Sequence, residues 1–309
     1  METTPVPEIR DLVDQVINRY KEDPVNVMGI EDAVGEYNYI AGHRFSYERT
    51  VQDIVDHFQN KPRGEIRILE IGTFLGVVSV ALSKLGFDLT ATDIEEFISS
   101  PNLQRIFRDN HIEYKSCNLS DYKLPFGDEK YDAVIMCETL EHLNFNPLPV
   151  IKEINRVLKS NGLFYLTLPN IASSANRKKL LAGKSIHNPI QDFFAQLDAE
   201  KNMIVGLHWR EYTTEEIKEM LNAMGFEVIH QKYEGLSKSL SIKAQLRKII
   251  TKIVFRVINL PIIKGIVYDS LVDPDDPALK QGQINFALKK ASYDKLFHFT
   301  NVTSNKKTL

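Results

Sequence analysis

The sequence predicts a doubly wound α/β fold, on three observations. Short apolar runs recur at residues 66–71, 87–91, 131–136 and 162–170, the first of them rich in β-branched residues. Runs of this length without alternation suit strands buried on both faces of a parallel sheet. Stretches with helical apolar spacing lie between them, at residues 77–85 and 150–159. Finally, the first run passes through a glycine turn directly into a helix, the unit from which such sheets are wound.

In chain order, Ile9, Leu12, Val13, Val16 and Ile17 form the stripe of an amphipathic helix over residues 8–20. A Gly- and Tyr-rich loop is expected at residues 28–43. Tyr47, Val51, Ile54, Val55 and Phe58 mark a second helix, opened by Ser46 as N-cap and ended by Pro62 and Gly64. The first strand and turn follow, then a helix closed by Gly86. Residues 171–206 read as an insertion on the ligand side of the sheet, where long segments shape substrate pockets. Thr213 and Glu216 make a capping box for a helix over residues 215–224. Residues 226–233 and 283–290 are the sixth and seventh strands. The expected organisation is a helical cap (1–60), a core (61–170), a substrate-side insertion with the sixth strand (171–234), a basic insertion (235–282), and a last strand and tail (283–309).

The glycine turn carries the functional signal. It reads Glu70-Ile71-Gly72-Thr73-Phe74-Leu75-Gly76, and Asp93 ends the next strand 21 positions after Gly72. Such a turn lets a ligand lie against bare backbone near a helix N-terminus, and an acid at the second strand's end can accept from both hydroxyls of a ribose. A dinucleotide would want Gly-x-Gly-x-x-Gly, whereas bulky Phe74 and Leu75 stand inside this turn. Glu70 would repel a pyrophosphate but can bind the cationic amino-acid end of S-adenosylmethionine. The Glu-x-Gly-x-x-x-Gly pattern resembles motif I of the class I S-adenosylmethionine-dependent methyltransferases. Cys117-Asn118-Leu119, Leu124-Pro125-Phe126-Gly127-Asp128, the strand at 131–136 and Glu141-His142-Leu143 resemble the same family's later motifs.

That resemblance implies a Rossmann-like, seven-stranded, mostly parallel sheet with helices on both faces. It implies cofactor contacts from Glu70, Gly72, Thr73, Gly76, Asp93, Ile94, Asn118, Leu119 and Cys137. Asn118 stands where the family more often has Asp, and its amide oxygen can still accept from an adenine amino group. N-terminal helices of the family cover the cofactor, so His43, Arg44 and Tyr47 are candidates to face it.

Acceptor chemistry is expected after the fourth strand, at Cys137-Glu138-Thr139-Leu140-Glu141-His142. Carboxylates at i and i+3 with an imidazole at i+4 converge if the stretch is one helical turn. The spacing resembles ubiquinone-pathway polyprenyl-catechol O-methyltransferases, which implies magnesium at Glu138, Glu141 and His142. The reading preferred here is metal-free, with His142 as general base or substrate contact and the two glutamates, Glu138 and Glu141, themselves candidate substrate contacts, helping to position it. Further on, His208 is a second candidate base, and Arg210 and Tyr212 are candidate acceptor contacts; a structural role for this cluster is the alternative.

Composition sets the remaining bounds. A chain of 309 residues with 43% hydrophobic and 26% charged residues is that of an ordinary globular protein with one sizeable core. A net charge of −3 and the lack of interleaved aromatics argue against a nucleic-acid partner. The two cysteines, Cys117 and Cys137, sit in or beside strands and read as core residues. The first residues lack a basic, then apolar, leader pattern, so a cytoplasmic protein is expected.

Residues 235–268 hold Lys238, Lys243, Arg247, Lys248, Lys252, Arg256 and Lys264 and no acid, beside an apolar face of Ile242, Leu246, Ile249, Ile250, Ile253 and Val257. Such a helix suits an anionic membrane interface, peripheral at the inner face, or packs on the core with snorkelling lysines. The reading is a methyltransferase making an O-methyl group on a glycan, lipid-linked sugar or prenylated acceptor. Alternatives are a soluble natural-product methyltransferase and a non-catalytic binding protein of the same fold.

Overall fold

The computed structural model describes residues 8–25, 33–194, 206–234 and 283–290. Its elements in order are α1 (Ile9–Glu22), α2 (Ala33–Gly42), α3 (Arg44–His57), β1 (Arg67–Ile71), α4 (Val77–Lys84), β2 (Asp88–Asp93), α5 (Glu95–Ile98), α6 (Pro101–Asp109), β3 (Glu113–Ser116) and β4 (Tyr131–Cys137). Then come α7 (Leu148–Val157), β5 (Leu158–Pro169), α8 (Ser174–Leu181), α9 (Ile190–Phe194), α10 (Thr214–Ala223), β6 (Phe226–Glu234) and β7 (Gln283–Lys290).

Five strands, in the order β3-β2-β1-β4-β5, form the parallel α/β core, and β7 and β6 continue the sheet beyond β5. β7 runs antiparallel to both its neighbours. The chain steps outward from β1 to β3, then returns to the other side of β1 with β4. A cleft therefore opens at the carboxyl ends of β1 and β4, the point where strand order reverses.

β1 shows how the two faces are filled. Ile68 packs into an apolar cluster with Leu12 and Val16 of α1, Val51 and Ile54 of α3, and Val80 and Ala81 of α4. Its neighbours Leu69 and Ile71 point into a second cluster with Val150, Ile151 and Ile154 of α7 and Ile217 and Leu221 of α10. The N-terminal helices are thus part of one face of the core and lean over the cleft.

Three local expectations are corrected. Residues 33–42, expected as loop, are helix α2, because Ile40 is fully buried and anchors the turn against the core despite the glycines. Ser46 lies inside α3, whose N-cap is His43. β5 begins at Leu158 rather than Gly162, and α7 ends at Val157. The capping box at Thr213 and Glu216 forms as expected. The basic segment 235–282 lies outside the described residues.

Candidate functional site

Gly72 and Gly76 both take left-handed backbone, with φ of +73° and +71°. A Cβ on Gly72 would stand 2.1 Å from Thr139 Oγ1, and one on Gly76 would stand 2.4 Å from the Phe107 ring. Both glycines are therefore required by close approach as well as by φ. Gly76 is also the N-cap of α4 and has no side chain to satisfy the helix's first N–H groups. Glu70 does so from the strand: its Oε2 accepts from Ser79 N (3.0 Å), from Ser79 Oγ and from Thr73 Oγ1 (3.0 Å). Burial raises the Glu70 carboxyl to about 7 against these hydrogen bonds, and the nearby Asp93 adds to the rise.

Asp93 ties the turn to β2. Its Oδ2 accepts from Phe74 N at 2.7 Å and its Oδ1 from Ile94 N at 2.8 Å. Each oxygen keeps a lone pair for a further donor. Burial raises this carboxyl to about 6. Phe74 itself has φ +49° and carries its ring between Tyr39 of α2 and Phe97 of α5, at centroid distances of 5.6 and 5.5 Å.

Above this floor is a cavity of about 1120 Å³, large enough for a nucleoside-sized donor and an acceptor together. Its wall includes Glu70, Gly72, Thr73, Asp93, Ile94, Asn118, Leu119, Cys137, Glu138, Glu141, His142 and His208. Gly76, Arg210 and Tyr212 are not part of the wall. Gly76 acts from beneath, whereas Arg210 pairs with Glu216 at 2.9 Å and Tyr212 is buried in the core. Of the cap candidates, His43 and Tyr47 line the cavity, while Arg44 bonds Asp14. The Asn118 side-chain oxygen accepts from Ser120 N and Oγ, capping the short turn that follows.

The acceptor end is built differently from the expected single helical turn. Only Leu140–His142 form a 3-10 turn; Glu138 precedes it with φ +47°, and its Oε1 accepts from Thr167 Oγ1 at 3.0 Å. Glu141 is wholly buried, and neither carboxylate oxygen meets a hydrogen-bond partner among the described residues. Burial, reinforced by Glu138, holds this carboxyl well above the usual range. The Glu141 carbonyl accepts from Trp209 N at 2.8 Å, which draws the 207–211 segment across the turn.

His142 and His208 consequently meet, their rings 4.9 Å apart and near perpendicular. His142 Nδ1 is 2.9 Å from Leu207 O, and His208 Nδ1 is 2.9 Å from Glu211 Oε1. A carbonyl oxygen only accepts, so Nδ1 of His142 carries the proton and Nε2 keeps its lone pair. Burial lowers the His142 pKa, which keeps the ring neutral and competent as a base.

The cofactor and metal implied by the resemblance fare differently. Two buried acids beside a glycine turn, apolar walls and the cavity's size fit a cationic sulfonium nucleoside. For magnesium, the expected trio does not form: among the described residues, the group whose ligand atoms lie within 4.8 Å of one another is Glu141, His142 and His208. Two imidazoles and one carboxylate do not suit a cation that prefers oxygen ligands.

Several contributors escaped the sequence reading. Ser79 had a signal, as the lone hydroxyl in the buried run from Val77 to Leu82. Tyr39 did not, because the glycines around it mask the helical pattern, and the Leu207 carbonyl had none.

A methyltransferase-domain family model matches residues 41–231, well over half of the chain. The mitochondrial ubiquinone biosynthesis O-methyltransferase of Rattus norvegicus is 28% identical over 130 residues, which are 41% of this chain and 37% of that protein. The demethylmenaquinone methyltransferase of Clavibacter sepedonicus is 31% identical over 96 residues, 31% of this chain and 38% of that protein. The chain thus spans little more than a third of the length of the curated relatives it matches. Among solved structures, a SAM-dependent methyltransferase from Archaeoglobus fulgidus superposes with a TM-score of 0.49 at 14% identity, covering 82% of this chain and 100% of that one. By the domain match, the chain belongs to the methyltransferase-domain family of S-adenosylmethionine-dependent methyltransferases.

Proposed function

We propose that the protein transfers a methyl group from S-adenosylmethionine to an acceptor hydroxyl, on a glycan, lipid-linked sugar or prenylated molecule. The observation that carries the reading is one cavity lined both by Glu70 and Asp93 and by His142 and His208. Bound S-adenosylmethionine supplies an electrophilic methyl group on a positively charged sulfur. Glu70, fixed by Ser79 and Thr73, faces the amino-acid end; Asp93 accepts from the ribose hydroxyls; Ile94, Asn118 and Leu119 flank the base; Cys137 closes the wall beneath. In-line displacement needs an aligned nucleophile and a place for its proton. His142 takes that proton on Nε2, oriented by Leu207, with His208 as the second base. Glu138 and Glu141 hold neighbouring hydroxyls of the acceptor, and Arg210 and Tyr212 support the segment that carries His208.

In this reading the seven-stranded sheet, the helical cap and the basic insertion at 235–282 form one cytoplasmic enzyme, peripheral at the inner membrane face. No helix among the described residues is long and apolar enough to cross a membrane. The test is calorimetric titration with S-adenosylmethionine, followed by radiolabelled methyl transfer to a lipid-extract panel. Tight donor binding with label in an alkali-stable ether supports the reading. Absence of donor binding, with uptake of NADH instead, overturns it.

A further inference from the structure

We propose that the segment following β5 carries a docking surface for an anionic lipid bilayer, at the rim of the cavity. Eight large apolar side chains are exposed among the described residues, and three of them, Leu180, Leu181 and Ile190, fall in this stretch. Leu180 and Leu181 end α8 at 57% and 67% exposure, and Ile190 opens α9 at 59%. A fourth, Trp209, stands over the segment through an edge contact with Phe193 at 6.0 Å.

Arg177, Lys178 and Lys179 directly precede the two leucines and Lys184 follows them, all exposed; no Asp or Glu occurs from 174 to 190, and Asp192 of α9 is partly buried and accepts from Asn188 Nδ2 at 3.1 Å. The three lysines form no ion pair among the described residues. Exposed leucines flanked by exposed cations, and a half-exposed tryptophan beside them, match an interfacial surface. A polyanion such as RNA would engage the cations and leave the leucines in water, whereas an anionic bilayer takes both.

The surface is tied to the cavity. Asn188 Oδ1 accepts from His208 N at 2.9 Å, and Asn176 Nδ2 donates to Glu211 Oε2 at 3.1 Å. Trp209 itself lines the cavity. Docking through this segment therefore sets the mouth of the cavity against the bilayer. The surface is independent of which acceptor the cavity takes, and distinct from the basic stretch at 235–268.

Flotation of the full chain with phosphatidylcholine vesicles, and with vesicles containing phosphatidylglycerol, tests it. The chain is expected to float with the anionic vesicles at low salt, and not at high salt or with neutral vesicles. The pairs Lys178→Gln/Lys179→Gln and Leu180→Ser/Leu181→Ser should each lower partition about tenfold or more. Melting temperature and S-adenosylmethionine affinity should stay unchanged in both, since these side chains are exposed. Failure of the parent chain to float with either vesicle overturns the proposal. So do variants that float as well as the parent, and so does retention on immobilised RNA without vesicle binding. Loss of donor binding in the parent speaks against the methyltransferase reading alone.

Discussion

His142 Nδ1 lies 2.9 Å from the carbonyl oxygen of Leu207, a residue 65 positions further along the chain. That contact selects the tautomer and leaves the lone pair on Nε2, which stands 3.9 Å from Glu141 Oε1. Substituting His142 by Gln should therefore reduce kcat by about 10²–10⁴ while leaving donor affinity intact. Burial lowers the ring's pKa, so the acid limb of the parent's pH–rate profile should fall below pH 6.5 and vanish in the variant. Steady-state kinetics across pH check both.

Glu70 predicts how donor binding depends on pH. Its carboxyl is raised to about 7 by burial, so below that pH it is largely neutral and repays little to a cation. S-adenosylmethionine should bind about tenfold more tightly at pH 8 than at pH 6, and Glu70→Gln should flatten the profile. For the unliganded protein the sign is the opposite. A raised carboxylate contributes stability in full below its unfolded value and loses it as pH rises through the folded one. The share from Glu70 and Asp93 should thus fade from about pH 4 to about 7. Calorimetry and thermal melts at several pH values read the two trends.

Gly72→Ala combines a forced left-handed φ with a Cβ 2.1 Å from Thr139 Oγ1. It should destabilise the protein by about 1–3 kcal/mol and weaken donor binding. Adding Thr139→Ala should recover the contact share and leave the backbone share. Chemical denaturation of the single and double variants separates them.

Lys232 Nζ reaches both oxygens of Asp53, at 2.8 and 2.7 Å, and Tyr165 Oη donates to the same carboxylate at 2.9 Å. This network joins β6 and β5 to α3, which carries Tyr47 and Thr50 into the cavity wall. Asp53→Asn should cost about 1–3 kcal/mol, and it should raise KM for S-adenosylmethionine more than it lowers kcat. Denaturation and kinetics together distinguish that from a purely structural loss.

Chelation should leave turnover unchanged, because the converging donors are not a magnesium set. Added zinc should inhibit instead, by occupying Glu141, His142 and His208 and tying up the basic nitrogen. His208→Ala should weaken that inhibition. Turnover with EDTA, then with zinc, reads both effects.

What the sequence determined was everything set by short-range pattern. The buried strands show as short, mostly apolar runs, and α4 as a 3.6-residue period opened and closed by glycines. Glu70 and Asp93 stand at strand ends, and a strand end in a parallel sheet points at the ligand whichever residues fill the rest. Helix α2 was not legible, because its glycines lower helix propensity and only the burial of Ile40 in a core built later in the chain compensates. The tertiary structure alone decided the acceptor end. There the 3-10 turn separates Glu138 from His142, and the Glu141 carbonyl recruits the backbone of Trp209. His142 meets His208 as a result. Contacts between groups more than sixty residues apart have no period in the sequence; they arise only when the sheet brings the end of β4 beneath the loop that follows the insertion.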